Sequence, residues 1–354
     1  VRGVAGRFPG SGALDAGEGG TPARFMMAAA CMATGTSSLD GSPRLRARPM
    51  RDGVQLLAGL GARVTRVGEG ELPLSITPSD AVRRGGCVSI ERPASSQFLS
   101  ALALVAPWMQ SGLRIEVRGG LPSDSYVELT VQCLRALGVG ATWDASTGVL
   151  VVHPSPLRGF QVRVEPDASS AAYGLALAAV LPGSCIRVPG LRRDSAQPDV
   201  AVAAALQSLG ADLLDDAQGL AVRCRGPLRG GVLDASRWPD GSLAVMAAAA
   251  CSDCTIELRG LGTLAGKESD RIAAMRAWLQ ALHVRVEAGD DWMRIRGPAR
   301  VDATACVDPR RDHRVAMSAA VVGAVRAGVQ VRDPGCVAKS WPHFWRDWAN
   351  LLGP

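Results

Sequence analysis

Lys and Arg together number 39 in this 354-residue chain, yet only Lys267 and Lys339 are lysine. Tyr is held to Tyr126 and Tyr173, and Asn to Asn350. Such a composition fits GC-rich coding, in which Lys drifts to Arg wherever chemistry permits. A surviving Lys then marks a place that needs a compact ammonium, because the forked guanidinium is not its equivalent. Both lysines sit in dense polar contexts, "GKESDR" and "VAKSW". The net charge of +6 comes from dispersed Arg with no basic run interleaved with aromatics, which argues against nucleic acid and for small anionic substrates. The nine Cys follow no zinc-ligand spacing. Cys31, Cys133 and Cys185 lie in apolar segments and are expected to act as small hydrophobes. Cys251 and Cys254 form a lone CxxC read as structural, so no metal is expected and a reducing, cytoplasmic location is.

These residues need a scaffold, and the chain repeats itself. "LAGLGARV" at Leu57 returns as "LRALGVGA" at Leu134, "LQSLGADL" at Leu206 and "LQALHVRV" at Leu279. Each copy closes an amphipathic helix, with Gly138 as the left-handed stop of one. A strand and a second strand follow; another strand precedes. Before that lies a small-residue helix that is apolar nearly all round and hence buried. The unit is helix, strand, helix, strand, strand. Five such units are visible, starting at Thr21, Ser95, Ser169, Gly241 and His313. One further unit, ending in Val1–Asp15, is expected ahead of them, since five is an awkward number for units whose strands share sheets around buried helices. No apolar run reaches the ~20 residues of a membrane span, and no signal peptide opens the chain. At this length two domains are expected.

Every buried helix begins with small or polar residues: "GEGGT", "SSQ", "DASS", "PDGS" and "RRDHR". A helix N-terminus presents unpaired N–H groups and partial positive charge, so each start reads as an anion site, with capping by Ser, Thr and Asp as the alternative at any single one.

The segments "DGSPRLRARPM", "SSQFLSAL", "GKESDRIAAM", "RDHRVAMS" and "DPGCVAKSWPHF" resemble, in order, 5-enolpyruvylshikimate-3-phosphate synthase. The resemblance implies a two-domain inside-out α/β barrel of six units, of which five are visible. It implies transfer of the enolpyruvyl group of phosphoenolpyruvate to the 5-hydroxyl of shikimate 3-phosphate, without metal or organic cofactor, by a monomer. Residues 1–164 would form the shikimate-phosphate side and 165–354 the catalytic side, with a hinge near 164–167 that closes on substrate. Asp240 in "WPDGS" would be the base, with N-cap as its bland alternative. Glu268 would serve the methylene carbon, aided by Lys267. Lys267 and Arg271, four apart, would share a helix face and form a cationic ledge for phosphoenolpyruvate. Arg314, Lys339, Arg24, Arg48, Gly20 and Thr21 would complete that subsite, Gly20 leaving room for the small substrate. Ser95, Ser96, Gln97, Ser123 and Tyr126, with Asp240 and Lys267, would hold shikimate 3-phosphate.

Three departures accompany the resemblance. The family's N-terminal Lys-Ser segment is not in the chain, Glu18 stands where Asn is usual, and Asp124 and Thr263 replace a common Lys and Asn. Two alternatives remain open. One is UDP-N-acetylglucosamine enolpyruvyl transferase, whose mobile loop carries a Cys that Gly17–Arg24 lacks. The other is a non-catalytic fold that only binds phosphorylated ligands.

Overall fold

The computed structural model describes every residue except Val1, Arg2, Ala5, Arg7, Pro9, Ser11, Arg300, Val301 and Pro354. The chain divides into two compact units, Val1–Arg163 and Val164–Pro354.

The first unit holds two four-stranded sheets of one topology. In strand order they are Ala13–Asp15, Ser37–Asp40, Leu74–Thr77, Arg63–Arg66, and Gly86–Glu91, Leu113–Arg118, Val149–Val152, Ala141–Asp144. In each, the first pair is parallel and the others antiparallel. A parallel pair needs a crossover, and the small-residue helices Gly20–Cys31 and Gln97–Val105 supply it. These two helices pack against each other. The amphipathic helices Arg51–Gly59 and Ser125–Ala136 follow, and Gly138 (φ 81°) ends the latter turn.

The second unit repeats the plan in one sheet, Gly231–Asp234, Thr255–Arg259, Trp292–Arg296, Arg285–Ala288. It carries two reduced versions: a three-stranded sheet of Asp212–Asp216, Gly219–Arg223 and Cys185–Val188, and the parallel pair Ala305–Val307 with Val329–Val331. Its core is made by the helices Ala168–Val180, Ser242–Ala250 and His313–Val325, which pack against one another in pairs. All nine residues of Ser242–Ala250 are buried. Ala at five of these positions lets the helix axes approach closely. A larger side chain at Ala247 would overpack the site at a cost of about 1–3 kcal/mol.

The mixed α/β class and the buried small-residue helices stand as expected. The repeat differs in one element: a short strand precedes the buried helix in four of the five units. Ala13–Asp15 pairs in parallel with Ser37–Asp40, so it opens the first visible unit instead of closing an earlier one; Val1, Arg2, Ala5, Arg7, Pro9 and Ser11 of that expected tail lie outside the described residues. Two thiols also differ from expectation, for Cys133 and Cys185 are exposed. In the Ser125–Ala136 helix the inward positions are Val127, Val131 and Leu134, which turn Cys133 outward. Cys185 begins a strand whose first residue is uncovered. Cys251 and Cys254 are partly buried free thiols.

Candidate active site

The catalytic candidates of the second unit meet around one guanidinium. Arg271 opens the Arg271–Ala281 helix and is 1% exposed. Its Nη1 donates to Asp240 Oδ1 at 2.7 Å, its Nη2 to Glu268 Oε2 at 2.9 Å, and its Nε to Asp312 Oδ2 at 2.9 Å. Those carboxylates come from three places: the turn before Ser242–Ala250, the loop before Arg271, and the start of His313–Val325. A buried cation is tolerable only with such pairing. Burial works against the Arg271 charge, but Asp312, Asp240 and Glu268 more than offset it and raise its pKa.

Further cations ring the same carboxylates. Lys267 Nζ lies 3.2 Å from Asp240 Oδ1, and Arg314 Nη2 lies 3.8 Å from Asp240 Oδ2. Lys339 Nζ donates to Glu268 Oε1 at 2.7 Å. Both oxygens of Glu268 are therefore held, one by Arg271 and one by Lys339. Burial pushes the Asp240 carboxyl up, but Lys267, Arg314 and Arg271 outweigh it and hold Asp240 far below the usual carboxylate range. Asp312 is likewise lowered, burial being overcome by Arg271. Next to it, burial and then Arg314 and Arg271 push His313 down to about 4, so its imidazole is neutral at pH 7.

Two expectations change here. Lys267 and Arg271 do not share a helix face. Lys267 ends the short turn Gly262–Gly266 with an extended backbone, and Arg271 begins a separate helix. Both still reach Asp240 Oδ1, but Arg271 lies beneath the carboxylates and forms no ledge; Lys267, Arg314 and Lys339 are the more exposed cations. The helix starts of this unit are also not open anion sites. Asp167 accepts the Ser169 and Ser170 N–H groups, Asp312 accepts that of Arg314, and Asp199 Oδ1 accepts that of Gly241. Each carboxylate takes the place the anion would fill. Asp240 itself is not the cap of its helix; that residue is Gly241.

The first unit gathers a different set. Arg24, 6% exposed, donates through Nη1 to Ser95 Oγ at 3.1 Å and Gln97 Oε1 at 2.8 Å, and through Nη2 to the Pro49 carbonyl at 3.2 Å. Its guanidinium lies over the Phe98 ring, 4.9 Å from the centroid. Gln97 Nε2 donates to Thr21 Oγ1 at 2.9 Å. Arg48 covers Gly20: a Cβ there would stand 2.3 Å from Arg48 Nη1. The space that Gly20 leaves is therefore taken by a guanidinium. No side chain caps the Gly20–Cys31 helix, and no carboxylate stands in its first turn or in that of Gln97–Val105. Ser96 is buried just ahead of the latter. Ser123 (φ 53°) and Tyr126 stand at the start of Ser125–Ala136. The Ser100 hydroxyl ties that helix to Gln97–Val105 through the Tyr126 carbonyl, at 3.4 Å.

Asp312 and Asp199 were missed by sequence reasoning. Asp312 stands inside "RRDHR", where it reads as a cap. Asp199 stands in "AQPDV", an ordinary helix opening, and nothing local marks it.

The EPSP synthase family (3-phosphoshikimate 1-carboxyvinyltransferase) matches residues 1–348. The chain belongs to the EPSP synthase family. The 3-phosphoshikimate 1-carboxyvinyltransferase of Thiobacillus denitrificans is 37% identical, over 99% of this chain and 82% of that protein. That of Laribacter hongkongensis is also 37% identical, with the same two coverages. Among solved structures, EPSP synthase from Acinetobacter baumannii superposes with a TM-score of 0.75 at 25% identity, over 96% of this chain and 79% of that one. The enolpyruvyl transferase NikO from Streptomyces tendae shares the fold, with a TM-score of 0.64 at 18% identity over 90% of this chain and 73% of its own. Among the described residues no helix is long and apolar enough to cross a membrane, and no group of three or more His, Cys, Asp or Glu could hold a metal ion.

Proposed function

We propose that the carboxylate–cation web of the second unit performs the proton transfers of this EPSP synthase, and that the Arg24 group of the first unit binds its anionic substrates. The reaction joins the 5-hydroxyl of shikimate 3-phosphate to C2 of phosphoenolpyruvate. The hydroxyl proton leaves, the methylene carbon gains a proton, and the tetrahedral adduct then loses phosphate and a methyl proton. Two groups of opposite duty are required, with cations for two phosphates and a carboxylate. Asp240 is the base for the hydroxyl and Glu268 the acid and base for the methylene carbon, with Lys267 beside both.

The observation that carries this reading is the shared use of cations. Lys267 and Arg314 hold Asp240, and Lys339 holds Glu268. In that state Asp240 is a poor base. Substrate phosphates and carboxylate compete for the same cations, and each cation drawn away restores basicity to Asp240. Binding the anions thus switches on the proton acceptor. On the first unit, Arg24, Arg48, Thr21, Ser95, Ser96 and Gln97, with Ser123 and Tyr126, supply donors suited to phosphate. We read Gly20 as the place where Arg48 must lie close to the backbone. Nine free thiols fit a reducing, cytoplasmic setting.

The test is product formation from phosphoenolpyruvate with each acceptor, followed by phosphate release and mass spectrometry. Shikimate 3-phosphate should gain the enolpyruvyl group and UDP-N-acetylglucosamine should not. The reverse preference would overturn the reading.

A further inference from the structure

Residues 195–199 run along the first residues of the second unit and bind them at every second position. Ser195 Oγ donates to Glu165 Oε1 at 2.9 Å. Gln197 Nε2 donates to the Pro166 carbonyl at 2.8 Å, while its Oε1 accepts the Ala168 N–H at 2.8 Å. Asp199 Oδ2 accepts the Ser169 hydroxyl. The last rung reaches further than the others. Asp199, 1% exposed, also accepts the Gly241 N–H through Oδ1 at 3.1 Å. Gly241 follows Asp240 directly and has no room for a side chain: a Cβ there would lie 2.6 Å from Val202 Cγ2 and 3.1 Å from Asp199 Oδ1.

A surface or simply structural role does not account for a carboxylate at this depth. An amide could accept the Gly241 N–H through its oxygen and donate to the Ser169 hydroxyl through its nitrogen, without the cost of burying charge. What the charge adds is a field on the neighbouring groups. Asp199 interacts electrostatically with Arg314, which favours its ionised form, and with Asp240, which opposes it.

We infer that Asp199 is a positioning residue of the reaction: it fixes the Gly241 backbone so that Asp240 is aimed, and its charge keeps Asp240 basic against the cations around it. The inference rests on Asp240 being the base. Burial pushes the Asp199 carboxyl up to about 6, with Arg314 opposing that shift and Asp240 adding to it. Around Asp240 itself stand Lys267, Arg271 and Arg314. Removing one negative neighbour from this set lowers the pKa of Asp240 further, because an anion nearby disfavours a second ionisation.

The experiment uses the full chain and three variants, with kcat, KM for both substrates, and kcat–pH profiles. Asp199→Asn keeps an oxygen for the Gly241 N–H and removes the charge. It should fold, keep KM within about threefold, and move the acid limb of kcat to lower pH. Asp199→Ala removes both functions and should lower kcat by about tenfold or more, partly restored in the Asn variant. An unmoved acid limb in Asp199→Asn overturns the proposal, and so does an Asp199→Ala kcat within about twofold of the parent. If Asp199→Ala does not fold, the Asn profile alone decides. Asp240→Asn is the control that separates the two readings. An active Asp240→Asn removes the assigned base; an inactive one beside unaffected Asp199 variants removes only the positioning role.

Discussion

The two polar clusters of this molecule use arginine in opposite ways. Arg24 donates to neutral acceptors, the Ser95 hydroxyl, the Gln97 amide and the Pro49 carbonyl, and lies over an aromatic face. Arg271 is surrounded by three carboxylates. The first arrangement fixes the Arg24 guanidinium through neutral groups and the Phe98 ring. The second spends the charge of Arg271 inside the protein, to gather carboxylates that would otherwise repel one another. The helix starts follow the same division. In the first unit no N-cap side chain bonds to the starts of Gly20–Cys31 and Gln97–Val105, while in the second unit Asp167, Asp199 and Asp312 accept helix-start N–H groups. One repeated scaffold thus carries two polar clusters of different make-up, to which we assign phosphate binding and proton transfer respectively.

Removing each arginine separates the two designs most sharply. Arg271→Ala leaves Asp240, Glu268 and Asp312 buried together without their common cation. Loss of one partner from a buried ion-pair set costs about 3–5 kcal/mol. Arg24→Ala removes hydrogen bonds to neutral groups, each worth about 1 kcal/mol, and a cation–π contact of similar size. Denaturant unfolding should show a loss for Arg271→Ala that shrinks as pH falls and the three carboxylates protonate, and a loss for Arg24→Ala that does not depend on pH. A pH-independent loss for Arg271→Ala would mean that the three carboxylates relax into water when the cation goes.

The lysines come next. Lys267→Arg and Lys339→Arg each replace an ammonium that touches one carboxylate with a fork that needs two acceptors. Each should cost at least about tenfold in kcat, roughly 1.4 kcal/mol. Normal turnover in both would show that a guanidinium serves equally well and that the two lysines survive by chance.

A smaller and more selective effect is expected at Gly20. A methyl group there collides with Arg48, so Gly20→Ala should displace that guanidinium. KM for an anionic substrate should rise by about tenfold or less while kcat changes little, the signature of lost binding. A fall in kcat at constant KM would place Arg48 among the groups that act in the transition state.

The smallest effect concerns pH and stability, and its sign differs from group to group. His313 has its folded pKa lowered from 6.5 to about 4, so it contributes stability that is present above 6.5 and lost as pH falls toward 4. Asp199 has its folded pKa raised from 3.8 to about 6, so its contribution is present below 3.8 and lost as pH rises through 6. The two slopes oppose each other. Asp240 and Asp312 are lowered by their cations, so their stabilisation holds above 3.8 and vanishes below it. Stability should be nearly flat between pH 4 and 6 and fall steeply below 4. In His313→Gln the opposing slope is gone, and thermal unfolding should show greater stability at pH 4 than at pH 6. A His313→Gln profile as flat as the parent's would contradict the assignment.

Much of this was legible in the residues. The small-residue helices and the closing hairpins follow from apolar periodicity, and the composition singled out the two lysines, while Asp240 and Glu268, which they contact, came from the family resemblance. Short strands were not legible, because Ala13–Asp15 and Ala305–Val307 are three residues long and alternate too briefly to show a period. The role of Arg271 was also hidden. Spacing of four suggested a shared helix face, but the loop Lys267–Asp270 breaks the helix, and only packing shows which carboxylates the guanidinium meets. Asp199 shows the limit most clearly. Its partners Ser169 and Gly241 lie 30 and 42 residues away, so no local pattern announces the contact.

The most direct test compares binding and turnover in Asp240→Asn. Calorimetry with shikimate 3-phosphate should give an affinity within about tenfold of the parent, while phosphate release falls by at least about a hundredfold, the typical share of a general base. Retained phosphate release would contradict the division between a cluster that holds anions and one that moves protons.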